Sequence, residues 1–202
     1  MTADRHVPSA LIAAGASLKA DVADEADVQR LVNDVVRKAG RIDALINLVG
    51  GFAMGRLEET EAALWQRMLT MNVTSAFLLS KAVTPHMVAR GTGRILHVAA
   101  WAAVEPFAGA AAYIVSKASL LALIKVLALE LSGSGVTVNG VLPNTIDTPA
   151  NRASMPRTDP STWTKPESIA DMLVFLASEE ARQISGAAVP IGVRVSAKSV
   201  GT

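Results

Sequence analysis

Short apolar runs alternate with longer helical patterns along the chain, and this alternation limits the possible folds more than any other feature. The predicted strands cover residues 16–20, 42–49, 94–100, 136–142 and 187–193. The predicted helices cover residues 24–39, 58–90, 110–131 and 166–178, and the second is expected to be helical for most of its length with a bend near Asn72. Strands that are apolar almost throughout and alternate with helices are typical of a parallel sheet covered on both faces. The sequence therefore predicts an α/β, doubly wound parallel sheet in a single domain spanning residues 1–202.

The ends of these strands are where a binding site is expected. Sites of parallel α/β sheets form at the carboxyl ends of the strands. Asp21, Asn47, Ala100 and Asn144 each end or follow a predicted strand. Residues 150–165, rich in Pro, Ser, Thr and Asn, are predicted to form a long loop of the kind that often covers a site.

Tyr113 and Lys117 stand four residues apart at the start of the predicted helix 110–131. On a helix, this spacing places both side chains on the same face. An ammonium close to a phenol favours the phenolate, so the tyrosine could exchange a proton with an alcohol or a carbonyl oxygen. The alternative is a chance spacing of a half-buried tyrosine and a solvated lysine, and the surrounding residues decide between the two.

The composition argues against several other classes of protein. Half of the residues are hydrophobic and 18% are charged, which indicates a folded domain rather than disorder. The 19 basic and 18 acidic residues form no basic block, which argues against a nucleic-acid partner. No cysteine and no ligand-like histidine spacing argue against a metal site. Lys117, Lys125 and Glu130 interrupt the longest apolar run, and no signal peptide is evident, so no membrane span is expected and the protein is predicted to be cytoplasmic.

Five short motifs, taken together, resemble those of the short-chain dehydrogenase/reductase family. They are Asp21-Val22, Leu45-Ile46-Asn47-Leu48-Val49-Gly50, Met71-Asn72-Val73, Tyr113-x-x-x-Lys117 and the segment from Val138 to Thr148. The resemblance implies a Rossmann-like fold and hydride transfer between a nicotinamide and a carbonyl. The cofactor would be NAD or NADP, and the choice stays open because the residues that usually select it follow a strand that these 202 residues lack.

The resemblance also implies a role for each motif. Tyr113 would be the acid in carbonyl reduction, and Lys117 would lower its pKa and bind the ribose hydroxyls of the cofactor. Asn72 would hold a water that links Lys117 to solvent. Asp21 and Val22 would contact the adenine, and Ile146 and Thr148 would hold the carboxamide. The other implied cofactor-binding residues are Asn47, Gly50 and Pro143.

Several of these residues also have a simpler interpretation. Asp21 could be a turn residue at the end of a strand, Asn47 could satisfy the backbone of a tight turn, and Thr148 could cap the next segment. His97, within an apolar strand, is interpreted as a core histidine. Trp101 is interpreted as a packing or cavity-lining residue.

Ala100 is a departure from the family pattern, because the family has a serine here that hydrogen-bonds the substrate carbonyl. Losing such a donor commonly lowers the rate by about 100- to 1000-fold. Dihydropteridine reductases also lack this serine, and residues 147–156 with Trp163 are similar to theirs. The resemblance therefore implies a pterin-like substrate that needs less carbonyl activation.

A second departure is the glycine-rich phosphate loop, which these 202 residues do not contain. The family pattern begins here near its third strand, so the first β-α-β unit is expected to be missing. Without that unit no helix N-terminus would hold the pyrophosphate. The sheet would then either have a gap or place strand 16–20 beside strand 42–49. A fragment, an alternative start or a degenerate paralogue would each explain the pattern, and residues 194–202 also depart from the family's ending.

Two functions are consistent with these observations. The first is an NAD(P)-dependent oxidoreductase acting on a small carbonyl, alcohol or pterin-like substrate. The second is a non-catalytic homologue that acts through oligomerisation. In either case the apolar helices at 58–90 and 110–131 predict a homodimer or homotetramer.

Overall fold

The computed structural model describes residues 11–13 and 16–192. Its strands are β1 (Leu11–Ala13), β2 (Ala16–Leu18), β3 (Ala44–Asn47), β4 (Gly93–Val98), β5 (Val136–Pro143) and β6 (Ala188–Ile191). Its helices are α1 (Glu25–Ala39), α2 (Ala62–Leu69), α3 (Ser75–Arg90), α4 (Ala111–Glu130), α5 (Pro149–Ser154) and α6 (Pro166–Ala177). The expected departure at residues 194–202 lies outside the described residues.

The central sheet is parallel and has the strand order β3-β4-β5-β6. In its register Leu45 lies opposite Ile95, and Ile95 lies opposite Val138. Strands β1 and β2 pair with each other in antiparallel fashion, and neither joins the parallel sheet. The predicted α/β parallel architecture is therefore confirmed. Among the described strands, β2 pairs with β1 and not with β3, so strand 16–20 does not lie beside strand 42–49 in the parallel sheet.

Helices cover both faces of this sheet. On one face α1, α3 and α4 contribute buried residues such as Val28, Leu79 and Ile124. On the other face Leu173 of α6 packs in a second cluster with Leu96 of β4. Because β4 and β5 have a helix layer on each side, nearly every residue in them is buried, which explains their continuous apolar pattern.

Local sequence signals account for the start, the end and the buried face of α1. The Asp24 side chain accepts a hydrogen bond from the Asp27 N–H at 2.8 Å, which caps the first turn. Gly40 ends the helix in the left-handed conformation, with φ of 76°. The predicted apolar face is buried through Val28, Leu31, Val32 and Val35.

The predicted segment 58–90 is helical for most of its length in the structure, as expected. The structure divides it into a 3-10 turn at Leu57–Glu59, α2, a π-helical segment at Thr70–Thr74 and α3. The bend expected near Asn72 coincides with the π-helical segment. Such segments are rare and often occur at functional sites. Here the segment brings the buried Asn72 side chain against Gly51 and α4.

Helix α4 is apolar on nearly all sides. Of the helices in the described part of the chain, it alone is long and apolar enough to cross a membrane by length and composition, although Lys117 and Lys125 were expected to exclude this. This is weak evidence, because a core helix meets the same criteria. Leu120 and Ile124 of α4 are buried in the main core, and Ile124 packs closely over Gly140 of β5. Core packing therefore accounts for the apolar residues on one side of α4, whereas 33% of its apolar window is buried in total.

Candidate active site

Tyr113 and Lys117 lie in the first two turns of α4, next to the carboxyl end of β4. The Lys117 side chain is only 5% exposed, and its Nζ donates a hydrogen bond to the Val98 carbonyl at 2.8 Å. The Tyr113 ring is half-buried and meets Phe52 edge to face, with ring centroids 4.8 Å apart. The structure thus places a phenol and a buried ammonium one helical turn apart.

Burial dominates the proton affinities of this pair. It raises the pKa of Tyr113 to about 12 and lowers the pKa of Lys117 to about 8. Each shift favours the neutral form, because a low-dielectric environment penalises charge. The direction for Tyr113 is opposite to the one that the sequence predicts from a neighbouring ammonium. In this structure, desolvation of the phenolate is the larger effect.

Asn72 is fully buried and connects the loop after β3 to α4. Its Oδ1 accepts from Gly51 N at 3.0 Å, and its Nδ2 donates to Gly51 O at 3.0 Å and to Ser116 Oγ at 2.9 Å. Ser116 Oγ in turn donates to the Tyr113 carbonyl. Both amide hydrogens of Asn72 are therefore used to fix the loop against α4. The predicted role in holding a water stays a prediction.

Gly50 lies where the backbone must approach the site closely. A Cβ at this position would come within 2.8 Å of Asn72 Oδ1 and 3.0 Å of Lys117 Nζ. A side chain here would displace one of these groups, whereas glycine lets the loop backbone lie directly against them. The structure therefore gives a steric reason for glycine at this predicted cofactor-binding position.

Asn47 ends β3 with a buried side chain that is used within the protein. Its Oδ1 accepts from Val49 N at 3.0 Å, and its Nδ2 lies 3.2 Å from His97 Nδ1. The turn role considered for Asn47 is thus present. His97 is fully buried and hydrogen-bonded, as expected for a core histidine. Sequence patterns gave no sign that these two residues, fifty positions apart, are partners.

Asp21 and Val22 form the turn that leads from β2 to α1. Asp21 accepts from the Ala23 N–H at 2.9 Å, and its own N–H donates to Asp27 at 3.1 Å. Val22 is 1% exposed and belongs to the main core. The turn interpretation of Asp21 therefore describes what the structure shows, while an adenine contact stays a prediction.

The segment after β5 contains the other predicted cofactor residues. Pro143 is buried at the end of β5, and Ile146 pairs with Thr164 in an isolated parallel bridge. Thr148 caps α5 by accepting from Asn151 N at 3.1 Å. The predicted long loop at 150–165 is corrected by the structure, because α5 and a 3-10 turn at Pro160–Thr162 lie within it. Pro and Thr at a helix start explain this short helix.

Ala100 is buried at the end of β4 and offers no side-chain donor at the position of the family's serine. Trp101 packs against the main core and donates from Nε1 to Glu105 at 2.9 Å, which fits its predicted packing role. Five large apolar side chains are exposed in the segments that follow β3 and β4. They are Leu48, Phe52, Met54, Val104 and Phe107.

The residues around the site fit part of a nicotinamide cofactor. An ammonium has three donors, and within the described residues Lys117 uses one of them, on Val98. The remaining donors of this ammonium suit sugar hydroxyls. In the described part of the chain no group of three His, Asp or Glu side chains could hold a metal ion.

Comparison with known proteins supports the same interpretation. The family model described as enoyl-(acyl carrier protein) reductase matches residues 4–192. The 2-(R)-hydroxypropyl-CoM dehydrogenase of Xanthobacter autotrophicus is 34% identical over 188 residues, which cover 85% of this chain and 74% of that protein. The D-threitol dehydrogenase of Mycolicibacterium smegmatis is 35% identical, with 83% of this chain and 68% of that protein covered.

Solved structures agree with these relatives. A protein from Burkholderia xenovorans described as a short-chain dehydrogenase/reductase superposes with a TM-score of 0.80 at 33% identity, covering 89% of this chain and 75% of that one. The structure of ElxO with NADP bound also gives 0.80, at 26% identity, covering 85% of this chain and 74% of that one. The relatives share the fold and place this sequence among oxidoreductases.

Proposed function

Because this chain belongs to the short-chain dehydrogenase/reductase family, we propose that it is an NAD(P)-dependent oxidoreductase that interconverts an alcohol and a carbonyl. The observation that carries the proposal is the buried Lys117 ammonium, one helical turn from Tyr113 and packed against the backbone at Gly50. A buried lysine costs stability, so its burial beside the half-buried Tyr113 favours a functional role. The nicotinamide supplies the hydride when it is bound.

Tyr113 would give its phenolic proton to the carbonyl oxygen in reduction and take it back in oxidation. Lys117 would hold the ribose hydroxyls and stabilise the phenolate as it forms. The raised pKa of Tyr113 keeps the phenol protonated at neutral pH, which suits an acid in reduction. Asn72 and Ser116 would hold the loop after β3 in a fixed position against the first turn of α4.

The cofactor would lie along the carboxyl ends of the strands. Gly50, with Asn47 positioning its loop, and Pro143, Ile146 and Thr148 would border its nicotinamide half. Asp21 and Val22 would lie toward its adenine half. Support for the nicotinamide half is stronger, because Lys117 retains donors there. Titration with both NADH and NADPH decides which of the two the protein binds.

For the substrate, we propose a carbonyl compound that needs little activation, such as a quinonoid pterin. Ala100 supplies no hydrogen bond to a substrate oxygen, so the substrate must be reducible without it. The exposed Phe52, which meets Tyr113 edge to face, suits a flat ring system stacked beside it. The relatives named above act on hydroxypropyl-CoM and threitol, so their substrates are alternatives to test.

A non-catalytic homologue acting through self-association is the second candidate. Ala100, which offers no side-chain donor to a substrate oxygen, favours it. We also propose self-association for the enzyme, because apolar residues on α3 and α4 are exposed in the single chain. These are Phe77, Val88, Val115, Val126 and Leu129.

Titration of the purified protein with NADH and NADPH separates the two candidates. Binding of either cofactor, with turnover of a carbonyl or pterin substrate, is the expected result. Absence of binding at about 1 mM, the upper end of common KM values, would reject the oxidoreductase proposal for this chain.

Tyr113→Phe then tests the acid. We expect kcat to fall by about 100- to 10,000-fold while cofactor Kd changes by less than about threefold, because only the proton donor is lost. Ser119→Ala, on α4 but outside the site, is the matched control and should keep full turnover. Unchanged turnover in Tyr113→Phe would exclude Tyr113 as the acid.

A further inference from the structure

His97 lies at the centre of a buried hydrogen-bonded chain that joins α3, β4 and the end of β3. Its Nε2 is 3.1 Å from Ser80 Oγ on α3, and its Nδ1 is 3.2 Å from Asn47 Nδ2. Ser80 and His97 are each less than 2% exposed, and Asn47 is 3% exposed. Buried polar side chains at these depths must satisfy one another.

The partners at each end determine where the imidazole proton is. Ser80 Oγ donates its hydrogen to the Ala76 carbonyl at 2.7 Å, so it must accept from His97, and Nε2 carries the proton. Asn47 Oδ1 accepts from the Val49 N–H, so its Nδ2 must donate to His97 Nδ1. Every donor thus meets an acceptor only when His97 is neutral and protonated at Nε2.

This arrangement reaches the candidate site through the backbone of residues 49–51. The Asn47 side chain holds the Val49 N–H, and Asn72 holds both the N–H and the carbonyl of Gly51. Gly50 lies between these two anchors, beside Lys117. A change at either anchor would move the segment that closes one side of the site.

We propose that His97 is a positioning residue: its Nδ1 fixes the amide of Asn47, and Asn47 holds residues 49–51 in the position that the cofactor requires. The inference deepens the proposed function and rests on it for the cofactor, but the hydrogen-bonded chain itself does not depend on activity. Burial and the charge of Lys117 keep His97 neutral, as the arrangement requires, by lowering its pKa to about 4.

Three substitutions at position 97 separate this role from simple packing. An asparagine places an oxygen acceptor where Nδ1 lies, whereas a glutamine places its donor near Nε2 and loses that acceptor. Phenylalanine removes both the acceptor at the Nδ1 position and the donor at the Nε2 position. His97→Asn should therefore retain the position of the loop, while His97→Gln and His97→Phe should not. His86→Asn, at a half-buried histidine on α3, is the matched control.

The first measurement is amide hydrogen exchange by NMR without cofactor. Exchange at the Val49 amide, relative to Val138 in the central strand, should rise about tenfold in His97→Gln and stay near the wild-type value in His97→Asn, since one buried hydrogen bond is lost only in the former. Equal exchange at Val49 in both variants would overturn the proposal. The imidazole nitrogen shifts of wild-type His97 should indicate the Nε2–H form, and an Nδ1–H form would also overturn it.

The second measurement is cofactor affinity. His97→Gln should raise the Kd of the bound nicotinamide cofactor by about tenfold with little change in kcat, and His97→Asn should restore it. Equal Kd values in the two variants would contradict the positioning role. If the wild type binds neither NADH nor NADPH, the proposed function fails, and the exchange at Val49 still decides whether His97 positions the loop.

Discussion

At the scale of single residues, burial explains most of the chemistry of the site. Lys117 and Tyr113 lie where the charged form of each is disfavoured. In this structure the pair is a neutral phenol beside an ammonium that gives up its proton more readily than an exposed lysine does. A neighbouring positive charge lowers the pKa of a phenol only when its attraction to the phenolate exceeds the cost of removing the phenolate from water. The residue types alone indicate proton transfer, but the depth of burial sets the direction of each shift.

Tyr113 is the single tyrosine in the sequence, so its ionisation can be followed directly. Titration of the phenolate absorbance without cofactor should give a midpoint of about 12. A midpoint at or below the ordinary value of about 10 would contradict the conclusion that desolvation dominates the pKa of Tyr113. Tyr113→Phe provides the blank for the tryptophan background.

The sign of the accompanying stability change follows from linkage. As pH rises from about 10 towards 12, the unfolded chain loses the phenolic proton while the folded protein keeps it. The unfolded state therefore binds fewer protons, and the free energy of unfolding decreases through this window. Circular dichroism at each pH identifies the range in which the titration reports on folded protein.

At the scale of elements, the turns between helices and strands fix how the layers meet. The turn after α3 contains Gly91, and the turn after α4 contains Gly135, and the two turns touch. A Cβ on Gly135 would overlap the Gly91 carbonyl oxygen. This contact aligns the starts of β4 and β5, whose carboxyl ends carry the candidate site.

Gly133 and Gly135 form a matched pair for testing this contact. Both have φ close to 80°, but a Cβ on Gly133 would meet no atom within 4 Å. Gly133→Ala should lower the free energy of unfolding by about 1–2 kcal/mol, the cost of the left-handed conformation. Gly135→Ala should cost about 1–3 kcal/mol more, because the turns must also separate. Chemical denaturation measures both, and equal losses would refute the steric contact.

At the scale of the whole molecule, the four-stranded sheet is covered on both faces, yet the helix layer exposes apolar surface. Leu129 of α4 is 77% exposed and Val126 is 49% exposed, and both lie on the side of the helix away from the buried Leu120 and Ile124. Exposed apolar clusters of this kind mark interaction sites. The apolar composition that predicted association from the sequence thus corresponds to a defined surface.

Leu129→Lys tests whether this surface joins two copies of the chain. Analytical ultracentrifugation of the wild type should show a dimer or tetramer, and Leu129→Lys should shift it toward the monomer, because a charge would be buried at the interface. Val174→Lys on α6, at a site that is 68% exposed, is the matched control and should remain associated. A monomeric wild type would contradict the proposal.

The sequence by itself determined the class of fold, because the alternation of apolar strands and helices follows from layers that must bury both sheet faces. It also set local features such as the caps of α1, and its motifs identified the family and the pair Tyr113 and Lys117. These properties depend on neighbours a few residues apart, and a linear pattern contains that information.

Only the tertiary structure decided how the polar residues are used. Asn72 binds Gly51 and Ser116, and Asn47 binds His97, so their partners are up to fifty positions distant in the chain. The π-helical segment at Thr70–Thr74 likewise contacts α4, and local helix propensity does not predict such a contact. Hydrogen-bond partners and desolvation depend on which surfaces meet, and that is fixed only when the layers pack.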